Sequence, residues 1–244
     1  EIIFSTSTLG VTLSTSTISF SSDNWNAAQT VTVSATNDST DEPSPHTSTV
    51  THAASSTNYG YTSALSISSV TANITDNDAA GLTLSKDYTT STEGGSTDSF
   101  TVLLNTQPTS TVEILLTTST GGISISTSTL TFDANNWNSA KTVTVTAIDD
   151  VIAQATHTAV VTLTSSSTNF GYNPVALPNS YVTGTAIDND TAGVTVTESG
   201  GTTNVTEGGS TDSYTVVLTS QPTSTVEIIF STSTLGVTLS TSTI

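Results

Sequence analysis

Between residues 141 and 147 the chain reads KTVTVTA, with Val143, Val145 and Ala147 on one face of an extended segment and Thr142, Thr144 and Thr146 on the other. Such alternation predicts a strand buried on one side. Six more strand-length stretches lie in the same region: GLTLS (81–85), SFTVLLN (99–105), TVEILLTT (111–118), GISISTSTLTF (122–132), HTAVVTLT (157–164) and YVTGTAI (181–187). Clusters of Gly, Asn, Asp, Pro and Ser separate them, and no stretch carries an apolar stripe of period 3.6. Seven strands so spaced predict an all-β antiparallel sandwich.

The pattern repeats. Trp25 recurs as Trp137, Asp76-Asn77-Asp78 as Asp188-Asn189-Asp190, and Gly81 as Gly193, each 112 residues on. STEGGSTDSFTVLLNTQPTSTVE (91–113) returns as VTEGGSTDSYTVVLTSQPTSTVE (205–227), now 114 residues on. The two extra residues fall in the turn-rich TESGGTTNV, where insertion costs little. A unit of about 112 residues suits one β-sandwich domain, so a tandem array is expected. Its parts would be the back of one unit (1–78), a whole unit (79–190) and the front of a third (191–244). Residues 1–18 and 227–244 are identical, which reads as a window on a longer periodic chain. The first and last sandwiches would then need a neighbouring copy, or an exchanged partner, to be complete.

Twenty acidic residues face two lysines, Lys86 and Lys141, giving a net charge of −18. Such a surface repels nucleic acid phosphates and anionic lipids and favours cations as partners. Abundant Ser and Thr at low charge density also suit a disordered stalk, but regular Val, Ile and Leu with placed aromatics favour packed strands. There is no Cys, which removes disulfides, thiolate catalysis and sulfur ligation together. No run approaches the roughly 20 apolar residues that cross a bilayer, so membrane insertion is not expected in this segment. There is no Met and no leader-like start, so an export signal would lie outside the segment.

The acids are placed rather than scattered. Glu93 stands in STEGG between the first two of the seven strands, Asp149 and Asp150 end KTVTVTAIDD, and Asp188 and Asp190 end YVTGTAIDND. Strands that alternate in direction bring the ends at Asp150 and Asp190 to one end of the sandwich, with Glu93 in reach. Carboxylates converging there repel one another unless a cation sits between them, and oxygen ligands of this kind suit Ca²⁺.

Three motifs in order, EGGSTDSFTVLLN, WNSAKTVTVTAIDD and YVTGTAIDND, resemble the Calx-beta domain, and through its repeats the resemblance covers the chain. That family includes calcium-sensing modules of sodium/calcium exchangers, an integrin chain and tandem arrays in bacterial surface proteins. The resemblance implies a seven-stranded immunoglobulin-like sandwich holding calcium through Glu93, Asp149, Asp150, Asp188 and Asp190. The matching acids elsewhere are Asp38, Asp76 and Asp78 in the first part and Glu207 in the third, with Asp41 and Glu42 extending the first set. Calcium-sensing members continue the fifth-strand acids with more acids, whereas Asp150 is followed by VIAQATH, and Asp38 by STDEPSPH. The two alternating units are therefore expected to differ in affinity.

Other features have plainer readings. Trp25 and Trp137 precede amphipathic strands and are expected to lid the core. His46 and His157 correspond across repeats and, with His52, show no transition-metal spacing. Asp98 and Asp212 read as turn residues. Four N-glycosylation sequons, at Asn37, Asn73, Asn189 and Asn204, match what chance gives in so Asn-, Ser- and Thr-rich a chain. No serine lies in a nucleophile elbow, so no enzyme is expected. The leading expectation is a structural segment of a long extracellular surface protein, a stalk, fibre or filament stapled by calcium, whose partners are neighbouring repeats and, through self-assembly, other copies. An adhesin module gripping a glycan through Tyr59, Tyr61, Phe170 and Tyr172, or a calcium sensor, are the alternatives.

Overall fold

The computed structural model describes residues 1–244 apart from 8, 9, 120, 174–176, 178, 179, 234 and 235. Seventeen strands and one short 3-10 turn (Ser199–Gly201) make up the described structure. Residues 1–78 carry β1 (Ile2–Thr6), β2 (Val11–Leu13), β3 (Thr17–Ile18), β4 (Val33–Ala35), β5 (His46–Ala54) and β6 (Val70–Ile74). The middle of the chain carries β7 (Leu82–Leu84), β8 (Tyr88–Thr92), β9 (Asp98–Leu104), β10 (Val112–Thr118) and β11 (Ile123–Ile125). It continues with β12 (Thr129–Phe132), β13 (Lys141–Ala147), β14 (His157–Ser166) and β15 (Tyr181–Ile187). The last part holds β16 (Val194–Glu198) and β17 (Tyr214–Leu218).

β7 to β15 form two facing sheets, ordered β12-β10-β14-β15-β8 and β11-β13-β9-β7. Every pairing is antiparallel except β15 with β8. One cluster fills the space between them, including Phe100, Val102, Leu104, Ile114, Phe132, Val143, Val145, Val161, Leu163 and Val182. These are the inward positions of the alternation, and burying each contributes about 1.5–3 kcal/mol. All seven expected strands are present. GISISTSTLTF is divided: β11 joins one sheet and β12 the other, so the segment turns a corner of the sandwich. β8 is a further strand, inserted between the first two expected ones.

The flanking parts contain matching pieces of this arrangement. β3-β1-β5-β6 and β2-β4 match the sheets of the middle without β7, β8 and β9. β16-β17 match β7-β9, in the same register: Leu82 faces Leu104 and Val194 faces Leu218. Among the described residues, only Val11, Val50, Ala54 and Ile74 are buried apolar residues in 1–78, and none is in 191–244. A continuous core therefore exists only where both sets of strands meet.

Candidate metal centre

The parallel pairing of β8 with β15 sets the site. Thr92 lies opposite Ile187 in register, so the next residue of each strand, Glu93 and Asp188, emerges at the same end. The Glu93 amide donates to the Ile187 carbonyl at 3.0 Å, carrying the ladder one step past the strand. β13 arrives from the facing sheet; the Ile148 amide donates to the Gly122 carbonyl at 2.7 Å, and Asp149 and Asp150 follow. Three loops thus deliver carboxylates to one end of the sandwich.

Glu93, Asp150 and Asp190 each offer an oxygen within 4.8 Å of the others. Glu93 is only 1% exposed, and neither of its carboxylate oxygens has a hydrogen-bond partner. Oδ2 of Asp190 is buried and unpartnered as well. Burial raises the Glu93 carboxyl above its ordinary range and the charges of Asp150 and Asp188 raise it further; the Asp150 amide and His157 oppose this more weakly. Burial likewise raises Asp190, helped by Asp188, Asp150 and Asp149. A buried carboxylate without a donor is costly, and a bound cation would remove the cost. This donor set fits a hard, oxygen-preferring ion, which Glu93, Asp150 and Asp190 would hold.

The other expected acids have different placements. Asp188 is engaged as a scaffold: its carboxylate accepts the amides of Asp190 and Gln154, which hold it below its ordinary range. Asp149 points toward Gly94 and the side-chain amide of Asn189, 3.4 Å away, outside the trio. Asn189 also donates to the Glu93 carbonyl at 2.9 Å, tying two of the loops together. Gly94 adopts φ +58°, and a Cβ there would meet the Asp149 carboxylate at 2.9 Å, so the EGG motif supplies both a ligand and the bend beside it.

The scaffold recurs 112 residues earlier. Ile152 donates to Asp150 Oδ1 at 2.7 Å, as Thr40 does to Asp38 at 2.7 Å. Gln154 donates to Asp188 and Asp190 to Asp188, as Glu42 and Asp78 do to Asp76 at 2.9 and 3.2 Å. Asp76 is lowered chiefly by the Glu42 amide, and Asp78 is raised by burial and by Asp76, Asp38 and Asp41. A hollow of about 140 Å³ lies there, lined by Asp38, Glu42, His46, Asp76 and Asp78 among others. Asp41 stands apart from it, its carboxylate against Gly171 of the next unit. Glu207, the third counterpart of Glu93, is exposed.

The corresponding histidines stand beside the two acid clusters. His157 lines the 380 Å³ hollow over the cluster with Glu93, Asp150 and Gln154, its ring lying on Gly122, where a Cβ would collide with Nε2. His46 makes the equivalent approach, its Nε2 3.6 Å from where a Cβ of Gly10 would stand, and it also lies 3.3 Å from the Glu42 carboxylate. Their shared repeat position was the available signal.

Asp98 departs from the expected exposed turn role: it is the first residue of β9, half-buried and paired with Lys86, and its counterpart Asp212, also half-buried, lies just before β17. Asp98 binds Lys86 Nζ and the amides of Thr90 and Ser99; Asp212 takes the Ser199 hydroxyl and the amides of Asn204 and Ser213.

Of the aromatics, Tyr172 is fully buried, its hydroxyl joined to Thr106, and Trp137 packs on the core, but Phe170 is 50% exposed. Trp25 departs from the expected core role: it is 70% exposed, on the rim of a 580 Å³ hollow with Phe20 and Tyr61. The physical reason is the missing layer, since residues 1–78 lack the strands that face Trp137 in the middle unit.

No protein-family model and no curated protein matches the sequence. Among solved structures, the apo form of the Calx CBD1 domain is similar at 16% identity with a TM-score of 0.36, covering 46% of this chain and all of that one. The D0-D1 domain of intimin is similar at 18% identity with a TM-score of 0.29, covering 76% and 80% of the two chains. The periplasmic chaperone SfaE is similar at 11% identity and a TM-score of 0.33, covering 45% and 57%.

Proposed function

We propose that this chain is a structural stretch of a surface protein, a stalk or fibre built from repeated β-sandwiches, in which calcium staples each unit close to its joint with the next. The observation that carries the reading is the buried, unpartnered carboxylate of Glu93 facing Asp150 and Asp190. Its position supports a role at the joint. Val151, next to Asp150, accepts a hydrogen bond from the Gln221 amide of the following unit at 2.7 Å, and Ser39, next to Asp38, accepts one from the Gln107 amide at 2.7 Å. A charge of −18 makes a cation favourable beyond the site itself. Repeat arrays gain reach by copying, because stability resides in each unit and its contact with its neighbour. An extracellular location agrees with this reading, since millimolar calcium is available there to weak sites.

A thermal melt in EDTA, in millimolar calcium and in magnesium tests the proposal. Calcium at about a hundred times its dissociation constant adds roughly 2.7 kcal/mol per site, so the expected outcome is a calcium-selective rise of several degrees. Superimposable melts in EDTA and calcium would overturn the calcium staple.

A further inference from the structure

Of the described strands of the middle unit, only β8 buries no apolar side chain. Where β9 puts Phe100, Val102 and Leu104 between the sheets, β8 turns Thr89 and Ser91 inward, with Glu93 next in the same alternation. All three are at most 1% exposed, and Thr89 Oγ1, Ser91 Oγ and both carboxylate oxygens of Glu93 have no hydrogen-bond partner. Docking this strand therefore desolvates four oxygens and gains little apolar surface in return. β15 does not make up the difference. Opposite Thr89 and Ser91 in register stand Gly184 and Ala186, and a Cβ on Gly184 would lie 2.7 Å from Ile123 Cδ1, so no larger side chain fits there. β8 is also an edge strand with β15 as its one partner. Its two ends are held by polar groups. Before it, the Asp87 carbonyl accepts the Thr183 amide at 2.8 Å, and Lys86 pairs with Asp98 at the start of β9. After it, Glu93 faces Asp150 and Asp190, which follow β13 of one sheet and β15 of the other.

We infer that residues 87–97 are a flap latched by the cation: with the ion on Glu93, β8 lies against β15, and with the ion removed β8 opens from the sheet while the rest of the sandwich stays folded. Elements that open below the global unfolding free energy are those with few buried apolar contacts, and β8 is the poorest in these. The Lys86–Asp98 pair closes the base of the flap, so opening leaves the pairing of β7 with β9, Leu82 opposite Leu104, in place. An ion held by Glu93, Asp150 and Asp190 ties the end of β8 to a strand end in each sheet. The latch rests on the cation reading above; the weak seating of β8 does not.

Amide hydrogen exchange resolved by NMR on the 244-residue chain, in EDTA and in millimolar calcium, reads the flap directly. The amides of Thr183 and Glu93 bond across the β8–β15 pairing, to Asp87 and Ile187; that of Leu116 bonds to Ser128 at the opposite edge of the same sheet and serves as the reference. In EDTA the first two are expected to exchange at least about tenfold faster than the reference, and calcium should remove most of the difference. Thr89→Val keeps the shape and deletes an unpartnered hydroxyl, so it should slow both amides in EDTA while the calcium-dependent rise in melting temperature persists. Exchange of Thr183 and Glu93 no faster than that of Leu116 in EDTA, or equally fast in EDTA and calcium, would overturn the flap; a melting temperature still raised by calcium would then leave the staple standing without it. Melts identical in EDTA and calcium would remove the staple and the latch together.

Discussion

Glu93 is buried with neither carboxylate oxygen hydrogen-bonded, an environment in which a negative charge is costly. Glu93→Gln keeps the shape and removes the charge, so the cation-free protein is expected to melt higher, by about 4 °C for each ~1 kcal/mol regained. The same substitution should erase most of the calcium-dependent rise, and one pair of melts reads both effects. Acidity gives a second test. Glu93, Asp190 and Asp78 have raised folded values, so the cation-free protein binds more protons than its unfolded chain as pH falls toward 4.5, and stability should rise. Asp188, Asp76 and Asp98 are lowered, so below 3.8 their contribution is lost and stability should fall. With calcium bound, protons compete for the same oxygens and the acid-side rise should vanish; melts in both states across pH 3 to 7 check this. At this scale the sequence was legible where motif and strand end coincide, as at Glu93, Asp150 and Asp190. It did not reveal that Asp188 would be consumed by two amides while Asp149 turned aside, because loop hydrogen bonding leaves no periodic trace.

β8 shows why one element escaped prediction. Its buried positions are Thr89 and Ser91, small hydroxylated residues that alternate with exposed ones without any contrast in hydropathy. β13 was plain because valines do the same work there. Only partner geometry reveals β8, since it exists against β15 and its counterpart at 202–206 is not a strand. Tyr172 locks this part of the fold: its hydroxyl bridges the amide, hydroxyl and carbonyl of Thr106, and touches the Gly81 carbonyl at 3.5 Å. Tyr172→Phe leaves a buried amide without its partner and is expected to cost about 1–3 kcal/mol. A denaturant titration should show a lower midpoint with an unchanged slope.

On the scale of the molecule, period and strand class were readable from end to end, because duplication and alternation are both properties of sequence. How one unit meets the next was not, since its hydrogen bonds, Gln107 to Ser39 and Gln221 to Val151, are made by main-chain atoms. Gln107→Pro removes the amide that Ser39 accepts, and is expected to broaden the distribution of angles between units in small-angle scattering. Gln107→Ala retains that amide and loses only the side-chain bond to Ala134, so its scattering should match the parent chain.

At one joint the accepting carbonyl belongs to Ser39 and at the next to Val151, residues with nothing in common except their backbone. A hydrogen bond made this way does not depend on which side chain the accepting residue carries. In the array proposed above, a connection of this kind would let a unit be exchanged, gained or lost and still meet its neighbour on each side. The length of such an array would then change without any new joint having to be invented.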